Sequence, residues 1–410
     1  MKKMKLQDCC IFISEGDHQA PPKSDKGVPF ITISNITTDN RIDFSNVMYV
    51  PLEYYEQLSE KSKAIKNDIL YSVVGSFGKP VLIEEDRKFV FQRHIAILRP
   101  NLEKVIPEFL YYTLLNPQFY TVADYLAIGA AQRTISLESL RNIEIELPSL
   151  SQQKRIVDVI APIDKKIHEN AMINDYLQRQ IQLLYDYWFT QFNFPGDDGR
   201  PYKATNGLMV WNEKINQIIP ADWQVKPLGA ICSFRNGINY DKNVEGNTVY
   251  KIINVRNISS STLFLDESNF DMICLPQQQG DKYRVSNDSI IIARSGIPGT
   301  TRILYNPSSN IIFCGFIICC TPYDNTLQNY LTLYLRQFEG SSATQTGGSI
   351  LKNVSQETLK NLLVPIPQQS LLSKFNDSVS RIYNLINGNI KENVQLTTLR
   401  DWLLPMLMNG

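Results

Sequence analysis

The chain repeats itself at an interval of about 220 residues, and this internal repeat constrains the fold more than any other feature. Leu6 and Gly16 correspond to Leu228 and Gly237. Further along, NDILYSVVGSFGKP corresponds to NDSIIIARSGIPGT, FQRHIAILRP to FCGFIICCTP, and ISLESLRNIEIELP to VSQETLKNLLVPIP. A repeat of this length is a whole domain with its attachments rather than a small supersecondary unit. The sequence therefore predicts one module present twice.

Each module divides into a globular part and a helical part. The globular parts alternate short β-branched or aromatic runs with Gly, Pro and Asn, and each contains a helix-like stretch, which is typical of a mixed α/β domain. The segment between the modules is rich in Gly, Pro, Asp and Asn and is predicted to be a linker. The predicted boundaries are 1–148 for the first domain, 149–194 for the first long helix, 195–221 for the linker, 222–367 for the second domain and 368–410 for the second long helix.

The two helical parts carry the apolar spacing of a coiled coil. Apolar residues recur every three or four positions from Ile156 to Trp188 and again from Phe375 to Leu407. Such a seam is about 48 Å long at 1.5 Å per residue. The predicted fold is therefore α+β, with two repeated α/β domains separated by two long helices that pair as an antiparallel coiled coil with approximate two-fold symmetry.

Two asparagines interrupt each seam at its middle. They are Asn170 and Asn174 in the first helix and Asn389 and Asn393 in the second. A buried asparagine costs stability but fixes register and partner, because its amide must find another polar group. We expect these asparagines to meet where the helices pair. The alternative is that each helix packs only against its own globular domain.

Composition narrows the functional classes. Lys plus Arg and Asp plus Glu both number 41, so the formal net charge is zero. This balance excludes a generally basic nucleic-acid coat or a polybasic membrane binder but is compatible with a local basic groove. No apolar run is long enough for a transmembrane helix, and the first residues lack the features of a signal peptide. We therefore expect a cytoplasmic protein.

The cysteines and histidines do not form a metal-site pattern. Seven cysteines lie at irregular spacings, several of them in apolar runs such as IIFCGFIICC, where a free thiol acts as a small hydrophobic group. With only three histidines and no paired Cys-x-x-Cys motif, the sequence predicts no metal site and no cofactor.

The order of domain, helix, domain and helix, together with ELPSLSQQKRIVDVIAPIDKKI, IPADWQVKPLGAI and LRDWLLPMLMNG, resembles the specificity subunit of type I DNA restriction–modification systems. The resemblance covers nearly the whole chain. It implies a non-catalytic subunit whose two target-recognition domains each read one half of a bipartite site in double-stranded DNA. It also implies that the helices set the gap between half-sites and dock two methyltransferase subunits, and that endonuclease and motor subunits complete the complex. That family usually has Pro-x-x-x-Glu-Gln before the helix, whereas this chain has Gln152 and Leu371 at the position of the Glu.

Two alternatives belong to other functional classes. A free-standing DNA adenine methyltransferase would need an Asp/Asn-Pro-Pro-aromatic loop, and the nearest sequence, Asn116-Pro117-Gln118-Phe119, lacks the second proline. A coiled-coil scaffold with no role on DNA is the other alternative. The sequence contains no Walker-type GxxxxGK[ST] motif, and no catalytic residues are predicted.

Three places in the domains supply side chains suited to DNA. Glycines in the loop 75–80 and in its counterpart 294–300 permit close approach of the backbone to a duplex. In both copies a basic residue precedes a predicted helix. The segment QRH in the first copy carries side chains that can form hydrogen bonds with purine bases. Each place also has a purely structural alternative. The loops are then plain hairpin loops, the basic residue is a surface charge at the start of a helix, and QRH is the edge of a strand. QRH has no counterpart in the second copy, which favours an asymmetric target. The residues predicted to contact DNA are Ser76, Lys79, Gln92, Arg93, Gln132 and Arg133, and in the second domain Arg294, Ser295, Lys352 and Asn353.

Overall fold

The computed structural model describes residues 2–16, 21–37, 39–75, 77–129, 132–196, 198–240, 246–260, 262–339 and 354–409. The chain divides into two compact units. The first unit comprises Met1–His168 and Gln395–Gly410, and the second comprises Glu169–Val394. Each long helix thus contributes its two ends to different units. Within the described residues, no helix is both long enough and apolar enough to cross a membrane.

The first unit contains three sheets, whose strands are interleaved along the chain. The strand order is β2-β8-β5-β6 in a four-stranded sheet, β4-β3-β7 in a three-stranded sheet and β1-β9 in a two-stranded sheet. Among the strand pairs of this unit's described residues, only β3–β7 is parallel. The strands are β1 Lys2–Lys5, β2 Cys10–Glu15, β3 Val28–Ile31, β4 Met48–Val50, β5 Ile69–Ser72, β6 Pro80–Leu82, β7 Val90–Phe91, β8 Ile95–Pro100 and β9 Glu144–Leu147, and the helices are α1 Leu52–Gln57, α2 Pro107–Leu115, α3 Pro117–Leu126, α4 Leu137–Asn142 and α5 Leu150–Tyr185.

The second unit contains the C-terminal part of α5 and then a hairpin, β10 Met209–Asn212 and β11 Gln217–Pro220, which lies in the segment predicted to be a linker. Its remaining strands are β12 Gln224–Pro227, β13 Cys232–Asn236, β14 Thr248–Ile253, β15 Asp271–Leu275, β16 Ile290–Ala293, β17 Thr301–Ile303, β18 Ile311–Phe313, β19 Ile317–Pro322 and β20 Leu363–Ile366, and its helices are α6 Val255–Ser260, α7 Gln277–Gly280, α8 Gln328–Arg336, α9 Gln356–Asn361 and α10 Gln369–Asn409.

The sheets of the second unit reproduce those of the first, strand for strand. Their orders are β13-β19-β16-β17, β15-β14-β18 and β12-β20, and β14–β18 is again the parallel pair. The predicted α+β class and the repeated domain are therefore confirmed. The repeat is a repeat of topology, because every strand of one three-sheet domain has a counterpart in the other.

One of the two inner strands of each four-stranded sheet, β5 or β16, is buried on both faces, which explains its mainly apolar sequence. In β5, Ile69 and Tyr71 pack in one core with α2, whereas Leu70 packs in another with residues of the three-stranded sheet. In β16, Ile290 and Ile291 divide between two cores in the same way. A strand covered on both faces has no polar side, so it reads as a continuous apolar run rather than an alternating one.

The two long helices pair antiparallel, and the contacts within the second unit display this directly. Asn170 donates through Nδ2 to Asn393 Oδ1 at 2.9 Å, and Asn389 donates through Nδ2 to Asn174 Oδ1 at 2.8 Å. The order of partners reverses between α5 and α10, as antiparallel helices require. Asn170 also donates to Glu392 Oε2 at 2.7 Å. The structure thus brings the four predicted asparagines together in two adjoining layers.

In the first unit an ion pair joins the same two helices. Arg400 of α10 donates to Asp164 of α5 at 2.8 Å, with both side chains less than one-fifth exposed. At the end of α10, Leu404 and Met408 are buried, and Leu403 and Leu407, which the predicted seam includes, are partly buried. The side chain of Met408 meets the hydroxyl of Thr113 in α2, so here the helix turns its apolar residues toward the domain as well as toward its partner helix.

Two glutamines at the start of α5 have structural roles. Ser149 and Gln152 form a capping box, because the Gln152 Oε1 accepts the Ser149 N–H at 3.2 Å and the Ser149 hydroxyl accepts the Gln152 N–H at 3.4 Å. Gln153 is fully buried, accepts the Ile106 N–H at 2.8 Å and donates to the Lys104 and Pro148 carbonyls. It therefore fastens the helix to its domain. In the second copy the buried Leu372 stands at this position and replaces hydrogen bonds with apolar packing.

A glycine follows β2 and another follows its counterpart β13, and at both positions another part of the backbone comes too close for a side chain. A Cβ on Gly16 would overlap the carbonyl oxygens of Phe91 and Gln92, and one on Gly237 would overlap those of Phe313 and Cys314. The two glycines also donate equivalent hydrogen bonds, to the Ile95 carbonyl at 3.0 Å and to its counterpart in the second copy, Ile317, at 3.1 Å. The conserved contact explains why this glycine recurs in both halves.

We expect Gly237→Ala to lower the free energy of unfolding by about 1–3 kcal/mol, because its methyl group must displace backbone rather than a side chain. The measurement is the urea midpoint of the full chain. Gly388→Ala in α10 is the matched control, since nothing lies within 4 Å of the added Cβ. Alanine there should stabilise the helix by about 1 kcal/mol. Equal midpoints for the two variants would contradict the close approach.

Candidate nucleic-acid interface

Three segments that are distant in the sequence meet at one end of β5. The Val73 N–H donates to the His94 carbonyl at 2.9 Å, and the Val73 carbonyl accepts the Ile135 N–H at 3.0 Å. The Gly75 N–H donates to the Arg133 carbonyl at 3.0 Å. The β5–β6 loop, the β7–β8 turn and the segment before α4 therefore form one surface. We call residues 73–75, 77–79, 92–94 and 132–135 the first loop cluster.

The first loop cluster holds the residues predicted to contact DNA in the first domain, with the exception of Ser76, which lies outside the described residues. Arg93 and Gln132 are exposed, and Lys79 and Gln92 are partly exposed. The backbone beneath Lys79 is fixed, because its N–H donates to the Ser72 hydroxyl at 2.9 Å. The structure thus gathers on one surface side chains that the sequence separates by more than fifty positions.

Arg133 has a protein partner that the sequence did not reveal. Its guanidinium donates to the Asp124 carboxylate of α3 at 2.8 and 3.0 Å and also to the Asp124 carbonyl. Both side chains are 41% exposed, so the pair lies in water and contributes little to stability. The pairing holds Arg133 in place at the edge of the cluster while leaving part of its guanidinium accessible.

The helix starts near Arg133 and Lys352 are capped by serines. Ser136 accepts the Ser139 N–H at 3.0 Å at the start of α4, and Ser355 accepts the Thr358 N–H at 3.0 Å at the start of α9. Thr134 instead forms a backbone bridge with Ile128. Ser136 and Ser355 are therefore the capping residues of these two helices. Lys352 and Asn353 lie outside the described residues.

The second unit has an equivalent surface. The Arg294 N–H donates to the Phe316 carbonyl at 2.9 Å, as Val73 does to His94 in the first copy. The loop glycines also correspond, since Gly75 and Gly296 have φ of 73° and 78°. We call residues 294–300 and 314–316 the second loop cluster.

The cations occupy different places in the two clusters. Arg294, which is exposed, precedes the first loop glycine, whereas Lys79 follows the second loop glycine of the first copy. Ser295 is partly exposed beside Arg294. Sequence reasoning did not single out Phe316 as a contact residue, although it is 63% exposed on the β18–β19 turn. The signal available in the sequence was a phenylalanine between a glycine and an apolar strand, which is equally typical of a core position.

Burial makes several of the cysteine thiols poorly reactive. Burial raises the pKa of Cys9 to about 11 and raises the pKa of Cys10 still further. Burial likewise raises the pKa of Cys314, and a hydrogen bond with Cys232 followed by burial raises that of Cys320. These cysteines are therefore protonated at neutral pH and pack as small apolar side chains. Within the described residues, no three His, Cys, Asp or Glu side chains cluster in a way that could hold a metal ion.

Comparison with known proteins gives a consistent result. The family model described as "Type I restriction modification DNA specificity domain" matches residues 1–179 and again residues 220–396. The type I restriction enzyme HindI specificity subunit of Haemophilus influenzae is 23% identical over 93% of this chain and 94% of its own length. The MjaIX specificity subunit of Methanocaldococcus jannaschii is 25% identical over 75% of this chain and 69% of its own length.

A solved structure shares the fold. The S subunit of a type I restriction–modification system from M. genitalium superposes with a TM-score of 0.51 at 16% identity, covering 99% of this chain and 96% of that one. Both matched segments of the family model contain one complete three-sheet domain and at least the first part of one long helix. The comparison therefore divides the chain at the same repeat as its topology does.

We expect Arg133→Ala to weaken binding to all DNA sequences to a similar degree and to reduce the slope of log affinity against log salt by about one, since one phosphate contact is lost. Lys352→Ala should do the same. Binding is measured by fluorescence anisotropy at several salt concentrations. Arg200→Ala is the matched control, because Arg200 also pairs with an aspartate, Asp198, outside either cluster. If Arg133→Ala leaves the slope of log affinity against log salt unchanged, Arg133 does not contact a phosphate and its pair with Asp124 has only a structural role.

Proposed function

The chain belongs to the type I restriction–modification DNA specificity family, and from this premise we propose that its two loop clusters read the two halves of an asymmetric, bipartite DNA site. It is the specificity subunit of such a system. The observation that carries the proposal is the repetition of one three-sheet domain with different side chains on the same loop cluster. Identical scaffolds place the two clusters equivalently, and unlike side chains give each its own sequence preference.

The side chains of the first loop cluster suit purine edges. Arg93 and Gln92 lie side by side on the β7–β8 turn, and Arg and Gln make bidentate hydrogen bonds with guanine and adenine in the major groove. Lys79 and Arg133 supply cations for the phosphates on either side. The second loop cluster has Arg294 and Ser295, with Lys352 and Asn353 assigned to it by the alignment of the repeats.

The zero net charge of the chain bears on affinity. A protein that neutralises several phosphates gains most of its non-specific affinity from those contacts. With 41 basic and 41 acidic residues, the chain offers focused cations rather than a basic surface. We therefore infer that the isolated subunit binds DNA weakly and that partner subunits supply much of the affinity.

The long helices are proposed to dock two methyltransferase subunits. Leu183 near the end of α5 is 67% exposed, and Tyr187 in the π-helical turn Asp186–Thr190 that follows is 40% exposed. The residues at the same repeat positions of α10, Trp402 and Met406, are 61% and 56% exposed. Residues four apart lie on one face of a helix, so each pair forms an apolar patch. The same patch occurring twice is what two copies of one partner would require. We call these pairs the first and second stripe.

The chemistry is assigned to partner chains. In this proposal the methyltransferase subunits methylate adenine within the recognised site, and endonuclease and motor subunits cleave the DNA. The subunit itself contributes the choice of sequence and the spacing, and it acts in the cytoplasm, where its DNA is accessible. Neither a free-standing methyltransferase nor a scaffold without a DNA role is favoured, because specificity subunits match this chain over both halves.

Selection of bound fragments from random DNA tests the proposal. The full chain, assembled with the methyltransferase subunits of its own system, should select two short and unlike motifs separated by a constant number of unspecified base pairs. The isolated chain serves as a control for the contribution of the partners and should also be assayed for S-adenosylmethionine by calorimetry. A single unsplit motif, the absence of any motif, or cofactor binding by the isolated chain would each contradict it.

The two stripes give a prediction about stoichiometry. Trp402→Ser with Met406→Ser should remove one methyltransferase copy from the complex, Leu183→Ser with Tyr187→Ser should remove the other, and all four changes should remove both. Native mass spectrometry counts the copies directly. Leu385→Ser is the matched control, because Leu385 is an equally exposed leucine of α10 with a lysine at its counterpart position in α5. Two copies retained by the fourfold variant would exclude the stripes as docking sites.

A further inference from the structure

We propose that Phe316 is a specificity-determining residue that contacts the C5-methyl group of a thymine in the half-site read by the second loop cluster. The inference rests on the proposed function and deepens it by naming the base chemistry. It also rests on two properties of Phe316, an exposed side chain and a backbone held by hydrogen bonds. Phe316 is an exposed aromatic side chain on a turn whose backbone is held at every residue.

The turn is held from two sides. The Gly315 N–H donates to the Ile238 carbonyl at 2.7 Å, and the Ile317 N–H donates to the Cys314 carbonyl at 3.0 Å. From the neighbouring loop, the Arg294 N–H donates to the Phe316 carbonyl at 2.9 Å and the Arg294 guanidinium donates to the Gly315 carbonyl at 3.3 Å. A side chain presented on a fixed turn loses little entropy on binding, which is the property of a binding anchor.

The surroundings of Phe316 are those of a nucleic-acid contact rather than of a folding defect. Arg294, which helps to fix the turn, is itself exposed and carries four further N–H donors. Ile297, in the same loop cluster, is 49% exposed. One exposed cation and two exposed apolar side chains therefore belong to the same loop cluster. This combination matches a DNA groove edge, where phosphate oxygens flank the base edges.

The chemistry of phenylalanine selects the base. Its side chain has no hydrogen-bonding group, so it cannot read the donor and acceptor pattern of a purine edge. The apolar group that a base presents in the major groove is the C5-methyl of thymine. Burying this methyl against an aromatic ring removes apolar surface from water on both partners. The second half-site is therefore inferred to contain a thymine whose methyl is read.

The first unit supplies an internal comparison. His94 stands at the position of Phe316, and its carbonyl accepts the Val73 N–H at the distance found for Arg294 and Phe316. The turn is thus the same in both copies, while the side chain on it is polar and partly buried in one and apolar and exposed in the other. The difference is confined to the side chain, as expected of two domains with one scaffold and two base preferences.

The test uses the full chain assembled with its methyltransferase subunits. The selected motif is first obtained with the wild-type complex and with Phe316→Ser, and the half that relaxes is assigned to the second cluster. Each thymine of that half is then replaced by deoxyuridine, which removes only the methyl group. At one position the wild-type complex should lose about fourfold or more in affinity, as expected for one buried methyl. Phe316→Ser should show no loss there, and Phe316→Leu should retain part of it.

Met272→Ser is the matched control, because Met272 is an apolar residue of the same unit with similar exposure, on β15. It should leave the motif and the deoxyuridine sensitivity unchanged. A split motif with no thymine whose sensitivity depends on Phe316 overturns this inference and leaves the proposed function standing. Deoxyuridine insensitivity accompanied by Phe316-dependent fluorescence of 2-aminopurine overturns it in favour of a wedge between base steps. No motif with the wild-type complex overturns the proposed function and this inference together.

Discussion

The asparagine layers between α5 and α10 are the interaction on which the account of this protein depends. Asn170 with Asn393, and Asn174 with Asn389, are side-chain hydrogen bonds formed at the middle of an otherwise apolar seam. A leucine seam alone would tolerate several registers, whereas amides in a buried layer must be opposite one another to be satisfied. The four residues therefore specify both the antiparallel direction and the register of the helix pair. Arg400 and Asp164 add a second polar contact between the same helices.

Around these helices, the domains separate what is fixed from what varies. The three-sheet scaffold, the close-approach glycine and the backbone bonds under the loop clusters are the same in both copies. The exposed side chains on those loops are not: the first cluster presents Gln, Arg and Lys, and the second presents Arg, Ile and Phe. A recognition module must keep its reading surface in position while its specificity changes. Placing the variation on turns whose backbone is hydrogen-bonded satisfies both requirements.

Much of the fold could be predicted from the sequence, because the repeat and the apolar spacing are long patterns that report on many residues at once. Single positions were harder. The alignment of Asp68 with Asp288 was one residue off, since β5 and β16 begin at Ile69 and Ile290 and place Asp68 opposite Ser289. Both side chains are buried and accept the backbone N–H three residues earlier, at Ile65 and Ser286, so function in the turn is conserved although identity is not.

The candidate interface could be predicted only in part. Loop glycines and cations are visible in the sequence, but their meeting on one surface depends on sheet pairing between distant segments. The partner of Arg133, Asp124, lies on a different element and depends on how α3 packs. The 63% exposure of Phe316 depends on the turn that carries it, which the local sequence does not specify.

The paired helices are proposed to act as a spacer between the two DNA-reading loop clusters, and changing their length tests this role most directly. Seven helical residues are inserted after His168 in α5 and seven after Val394 in α10. Each insertion adds about 10 Å of helix and preserves the facing side to within about 20°. Since stacked base pairs are about 3.4 Å apart, the account predicts a gap longer by about three base pairs, with both half-motifs unchanged. An unchanged gap selected by a complex that still binds DNA would contradict it.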